Sequence, residues 1–265
     1  MFKLFRPDRL RSKSCFGLIA LLTLSSISFA DDGDENETPL GAAVILIELT
    51  DNDIELQIFA DAFDWRRLQV FDPKDRRIFD TRSRGRLTRQ GGLSELTIAS
   101  EPSHYLEDEP DYDESVEKFL RRWPEGEYEF LAHRTGDLGP LESDAYLSHV
   151  MADLPVVLWP LEDAEVDPNA TLLIDWDPVT ERFIGDGPVE IFEYQVIVNQ
   201  ESPERSMSWI DGGTRRTLAN LPPDVTEFHL PPEALEPNAE YEIEILAIAS
   251  NGNASIGVSP FTTSE

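Results

Sequence analysis

The chain is poor in the residues that carry most enzyme and metal chemistry. It has one cysteine, Cys15, and four histidines in 265 residues. With a single thiol, disulfide frameworks and paired-cysteine metal sites are excluded. None of His104, His133, His149 and His229 falls in a His-Glu-x-x-His or other metal-ligand spacing. His133 and His149 fall on segments that read as neighbouring strands, so they could approach; the plainer reading is two separate surface or half-buried side chains. No G-x-S-x-G elbow, phosphate-binding loop or G-x-G-x-x-G is present. Positive charge is scarce as well: 22 Lys+Arg stand against 52 Asp+Glu, a formal charge of −30. That balance argues against general binding to nucleic acid phosphates or to anionic lipid. It suits a highly soluble exported protein, or one in salty water, where screening relieves self-repulsion.

The N-terminus reads as a secretory signal peptide over residues 1–30. Lys3, Arg6, Arg9, Arg11 and Lys13 precede a short apolar stretch from Phe16 to Leu24, and Ser28-Phe29-Ala30 ends in a small-x-small pattern. The apolar run is too short for a comfortable span. Cleavage after Ala30 would remove Cys15, five basic residues and the acidic Asp8. That leaves 17 Lys+Arg against 51 Asp+Glu, or −34, and no cysteine. Residues 31–39 are acidic and lack a core-forming run, so a disordered leader is expected.

The most informative positive feature occurs twice. Pro237-Asn-Ala-Glu-Tyr241-Glu-Ile-Glu-Ile-Leu-Ala247 echoes Pro124-Glu-Gly-Glu-Tyr128-Glu-Phe-Leu-Ala132. A Pro-containing turn followed by Tyr at the start of an alternating strand is the pattern of a tyrosine corner, in which the phenol packs in a β-sandwich core and its hydroxyl bonds backbone upstream. Two copies at this separation fit two tandem sandwiches. Strands are expected at Ala43–Leu49, Ile54–Ala60, Leu68–Phe71, Ile78–Phe79, Leu93–Ile98 and Ala145–Met151 in the first half. In the second they are expected at Val156–Trp159, Leu172–Trp176, Ile191–Asn199, Ser206–Ile210, Glu227–Leu230, Tyr241–Ala249 and Ile256–Thr263. Val116, Phe119, Leu120 and Trp123 recur at helical spacing, so one or two helical turns are expected there. Alternation places Tyr128, Phe130 and Ala132 inward, and likewise Tyr241, Ile243, Ile245 and Ala247. The expected organisation is an all-β chain: an immunoglobulin-like β-sandwich over residues 40–152 and a second sandwich over 153–265.

The second half resembles a fibronectin type III domain. Trp176 in Ile174-Asp-Trp176-Asp-Pro178, Tyr194 in Tyr194-Gln-Val196-Ile-Val198, and the corner Leu235-Glu-Pro237-Asn-Ala-Glu-Tyr241 carry the resemblance. The connections at residues 183–190 and 199–218 are longer than that pattern needs. Taken whole, the chain resembles exported bacterial proteins that end in such a domain. The resemblance implies a binding or spacing module, with Trp176, Tyr194, Tyr128, Pro237 and Tyr241 in structural roles. Fold alone does not fix function.

Three features invite a functional reading. Residues 66–89 hold Arg66, Arg67, Lys74, Arg76, Arg77, Arg82, Arg84, Arg86 and Arg89, opposed only by Asp72, Asp75 and Asp80. Arg suits bidentate carboxylate contacts. The region is therefore a docking patch for an acidic protein or acidic polysaccharide, or it is paired with this chain's own carboxylates. Arg76, Arg77, Arg82, Arg84, Arg86 and Arg89 are the candidate contacts. The run from Glu107 to Glu114 clusters hard oxygen ligands, with Asp108, Asp111 and Asp113 as a calcium candidate, yet it lacks the order of an EF-hand loop; the alternative is a solvated acidic loop. Of the five tryptophans, Trp123 and Trp176 read as core, and Trp65, Trp159 and Trp209 are uncommitted between core and sugar platform. No catalytic set and no cofactor is expected. The expected function is a non-catalytic, periplasmic or secreted binding or spacer protein, with self-association one form of contact. The competing reading is a hydrolase, or an accessory of one, with an unrecognised carboxylate pair.

Overall fold

The computed structural model describes residues 40–107, 112–136, 139–201 and 216–265. The expected signal peptide and leader, the strand at 206–210, Trp209, Asp108 and Asp111 lie outside the described residues. The chain is all-β, with more than half of the described residues in strands.

In the first half β1 (Ala42–Leu49) pairs antiparallel with β2 (Asp53–Phe71). β2 is the organising element. Its first part alternates, with Ile54, Leu56, Ile58, Ala60 and Ala62 all buried. At Asp64 the backbone takes φ 62°, and beyond it Trp65, Leu68 and Val70 are the buried set. At this bend the strand exchanges one set of neighbours for another, as at sandwich corners. Before the bend β2 also pairs with β4 (Leu93–Ala99) and β5 (Ser103–His104). After it, β2 lies between β3 (Arg77–Arg82) and β6 (Gly126–Arg134), and β6 pairs with β7 (Leu141–Leu147). α1 (Arg86–Gln90) follows β3, and α2 (Val116–Arg122) crosses to β6 with Ser115 capping its N-terminus.

The second half has two facing sheets. β12 (Arg216–Leu221), β11 (Ile191–Gln200), β14 (Glu240–Ala249) and β15 (Ala254–Thr263) form one, with β9 (Ala164–Val166) beside β15. β13 (Glu227–Leu230), β10 (Leu172–Trp176) and β8 (Val157–Trp159) form the other.

Two hydrophobic cores result. One is built from Leu40 to Met151 and contains Trp65, Tyr128 and Phe130; the other runs from Ala152 to Phe261 and contains Trp176, Tyr194 and Tyr241. They are not joined by a simple linker. Leu154 and Phe183 pack on the first core, while Ala152 belongs to the second. β1 and β15 pair in parallel at Glu48–Ala254 and Leu49–Ser255, so one hydrogen-bonded sheet runs through both halves. The described residues form one compact unit.

Several details differ from expectation. The strand expected at Ala145–Met151 begins at Leu141 and ends at Leu147, because β6 fixes its register from Ala132↔Leu141 to Gly126↔Leu147. The segment after the β3 hairpin carries the short helix α1. The long connection after Asn199 contains β12 at its end. His133 and His149 do not meet: His133 Nε2 lies 2.9 Å from the Gln69 side chain, and His149 Nε2 lies 2.7 Å from the Trp123 carbonyl.

Candidate contact site

The Arg-rich segment divides into a paired part and an unpaired part. Asp72 opens the β2–β3 turn. One oxygen accepts from the backbone N–H of Lys74 and Arg76 at 3.0 and 2.9 Å, and the other from Arg76 Nε at 2.7 Å. Burial alone would raise this carboxyl, but the Arg76 side chain and these backbone donors outweigh it and hold it below the usual aspartate range. Asp80 takes a two-point contact from Arg67, at 2.8 Å from Nε and 2.5 Å from the terminal nitrogen, and a further one from Arg77 at 3.1 Å. Arg76 and Arg77 are thus exposed but locally paired.

Arg82, Arg84, Arg86 and Arg89 are exposed and make no ion pair with the described residues. Arg82 sits directly across from Arg67, and Arg67 across from His133. Burial first, then the charges of Arg67, Arg66 and Arg82, hold the His133 imidazole below its usual range. The backbone positions the loop firmly. Ser83 N donates to Arg66 O at 2.8 Å, the Ser83 and Thr88 hydroxyls meet at 3.1 Å, and Gly92 N donates to Leu87 O at 2.9 Å. Gly92 has φ 97°, and a Cβ there would stand 2.2 Å from the Trp65 carbonyl oxygen, so only glycine lets the loop close against the β2 bend.

That bend lies at the end of the first core away from β15: β1 meets β15 at Glu48 and Leu49, whereas Ala42 pairs with Asp61 beside the bend. Phe63, 77% exposed, and Leu87, 50% exposed, belong to the same gathering of segments. Thr135 N closes it by donating to Asp64 O at 2.7 Å. Sequence reasoning passed over Phe63; its signal was a large apolar residue between Asp61 and Asp64, where the strand alternation breaks.

Of the calcium candidates only Asp113 is described. It is exposed, and one carboxylate oxygen accepts from His104 N at 3.4 Å. Among the described residues no group of three His, Cys, Asp or Glu is placed to hold a metal ion. Trp65 and Trp176 are core. Trp123 is half-buried against the first core, and Trp159 is exposed on the edge strand β8.

The two corner tyrosines are buried and hydrogen-bond with opposite polarity. Tyr128 donates to Pro124 O at 3.0 Å, whereas the Tyr241 hydroxyl accepts from Glu236 N at 2.7 Å. Pro237 is exposed in the turn that enters β14. Tyr194 accepts from Val179 N at 2.8 Å and packs edge-on against Trp176 with ring centres 5.5 Å apart.

No family model matches the chain, and no curated protein matches it. Solved structures similar to it include fibronectin type III modules. The fibronectin(III)-like modules of CbhA from Clostridium thermocellum share 11% identity, with 87% of this chain and 92% of that one covered and a TM-score of 0.31. The FN1–FN3 domains of chicken CNTN1 share 12% identity over 86% of this chain and 66% of that one, TM-score 0.30. A two-domain fibronectin type III segment of chicken tenascin shares 11% over 83% and 97%, TM-score 0.27. Similarity at this level carries no argument about function.

Proposed function

We infer that the chain is a non-catalytic, exported binding or spacer protein that holds protein or polysaccharide partners apart at the cell envelope or outside it. The observation that carries this reading is the junction between the two cores. Asn253 is buried, accepts from Ile47 N at 2.8 Å, and donates to Ser148 O and Val150 O at 2.8 and 2.9 Å. Ser255 Oγ donates to Ala152 O at 2.6 Å. Just beyond the junction, a Cβ on Gly257 would lie 1.9 Å from Pro155 O, so the segment entering the second half runs directly against β15. A body fastened in this way transmits position from one end to the other; a flexible pair of domains does not.

The mature chain would lack cysteine, so two spin labels can be placed cleanly at Arg84→Cys and Glu233→Cys, one in each half. A single narrow distance distribution is expected. A broad distribution, spanning the range of a free linker, would defeat the spacer reading.

A further inference from the structure

We propose that the end of the first core bearing Phe63, Leu87 and the four unpaired arginines Arg82, Arg84, Arg86 and Arg89 docks on an anionic lipid surface. The inference goes beyond the spacer reading, which the label distances test separately.

Three observations converge on this partner. The first is the combination of side chains. Phe63 and Leu87 are large, apolar and solvent-facing, and the exposed Arg82, Arg84, Arg86 and Arg89 lie within five residues of Leu87 along the chain. An interfacial site needs apolar groups that enter the acyl boundary together with cations that stay at the phosphates. The second is shape. Phe63 stands on a strand bend beside Asp64 at positive φ, and with 77% of its surface exposed it rests in no pocket of its own chain. A projecting ring suits a soft surface that closes around it, whereas a protein partner would have to supply a matching cavity. The third is position. The bend is fixed to the loop by Ser83 N–Arg66 O and to the end of β6 by Thr135 N–Asp64 O, so the apolar and cationic groups are presented together on a rigid frame.

The strong negative charge of the whole chain does not oppose local docking. Exposed charges farther away than about 8–10 Å are largely screened at ordinary ionic strength. Asp61, Asp64 and Glu95 share this end. They leave Arg66, Arg82, Arg84, Arg86 and Arg89 in excess, and the acidic remainder would favour one orientation by keeping other faces off the surface.

The test is co-sedimentation of the mature chain with vesicles of phosphatidylcholine alone and of phosphatidylcholine mixed with phosphatidylglycerol, at low and high salt. Polyglutamate and polygalacturonate serve as soluble polyanions in parallel. The expected result is binding to the anionic vesicles only, weakened by salt. Phe63→Ala should weaken binding about tenfold, and the combined R82Q/R84Q/R86Q/R89Q variant at least tenfold. A Phe63→Trp variant should show a blue-shifted emission on anionic vesicles. All these side chains are exposed, so each variant should keep the wild-type unfolding midpoint. Wild-type protein that stays in the supernatant at low salt overturns the proposal, as does Phe63→Ala binding as well as wild type. Equal capture by either polyanion, with no emission shift for Phe63→Trp on vesicles, also overturns it and assigns the arginines to an acidic macromolecule.

Discussion

Glu48 and Glu55 face each other across β1 and β2, and both are buried. The Gln57 amide nitrogen donates to one carboxylate at 2.7 Å and to the other at 2.9 Å. Like charges directly opposite each other in a sheet destabilise it. Burial first, then the charges of Glu55, Glu244 and Asp53, pushes the Glu48 carboxyl up to about 8. A carboxyl whose folded value lies above its unfolded one binds its proton more tightly in the folded state. Its contribution to stability is therefore complete below about 4.5 and is lost as pH rises through about 8. Glu48→Gln removes the titration and keeps a neutral partner at the site. Above pH 8 the variant should be more stable than wild type, by up to roughly 4–5 kcal/mol at about 1.4 kcal/mol per unit of the raised value. Below about 4.5 the two should converge. Denaturant unfolding across this range checks it; a constant difference at every pH would mean that Glu48 does not titrate there.

At the scale of elements, the β2 bend and the loop that leans on it stand or fall with Gly92. Gly92→Ala should cost roughly 3 kcal/mol or more, since a side chain at φ 97° must displace the Trp65 carbonyl. Gly85 is the control: its φ is 61° and nothing lies within 4 Å of the Cβ position, so Gly85→Ala should cost only about 1–2 kcal/mol. Similar losses in chemical denaturation at both sites would mean that the loop is not fixed by this contact. The same region shows what sequence makes legible. The Pro–Tyr spacing announced Tyr128 and Tyr241 because a corner is local: turn, ring and hydrogen-bond partner all lie within six residues. The Arg cluster was legible as a cluster, and so was its alternative of internal pairing, which Asp72 and Asp80 realise for Arg67, Arg76 and Arg77. α1 was not legible, because Leu87 is its only apolar residue and gives no period. β12 was hidden for a similar reason: Arg216-Thr-Leu-Ala-Asn-Leu221 is an edge strand whose burial comes from β11 alone. The exposure of Phe63 follows from a bend at a non-glycine residue, for which composition gives no sign.

At the scale of the molecule, the least legible feature is the one on which the proposed role depends. The parallel pairing of β1 with β15 joins residues about two hundred positions apart, and no local pattern encodes it. Asn253 concentrates that junction in one side chain. Its carbonyl oxygen satisfies Ile47 N in the first half, and its amide satisfies two carbonyls in the segment that leaves β7. Asn253→Ala strands Ile47 N and Ser148 O where neighbouring backbone excludes water, while Val150 O keeps the Asn251 side-chain amide at 2.8 Å. A buried donor without a partner costs about 1–3 kcal/mol, and carbonyls somewhat less. A loss of roughly 2–4 kcal/mol is therefore expected. The form of the loss is more telling than its size. Each half keeps its own core, so the substitution should weaken the coupling between cores more than either core itself. Wild-type protein should unfold in one calorimetric transition, and Asn253→Ala in two resolved steps. The tryptophans separate the steps, since Trp65 reports on the first core and Trp176 on the second. If the variant unfolds in a single transition at a lower temperature, the halves are one cooperative core and Asn253 is an ordinary packing residue. If wild type already unfolds in two steps, the junction is too weak to hold two partners at a fixed separation.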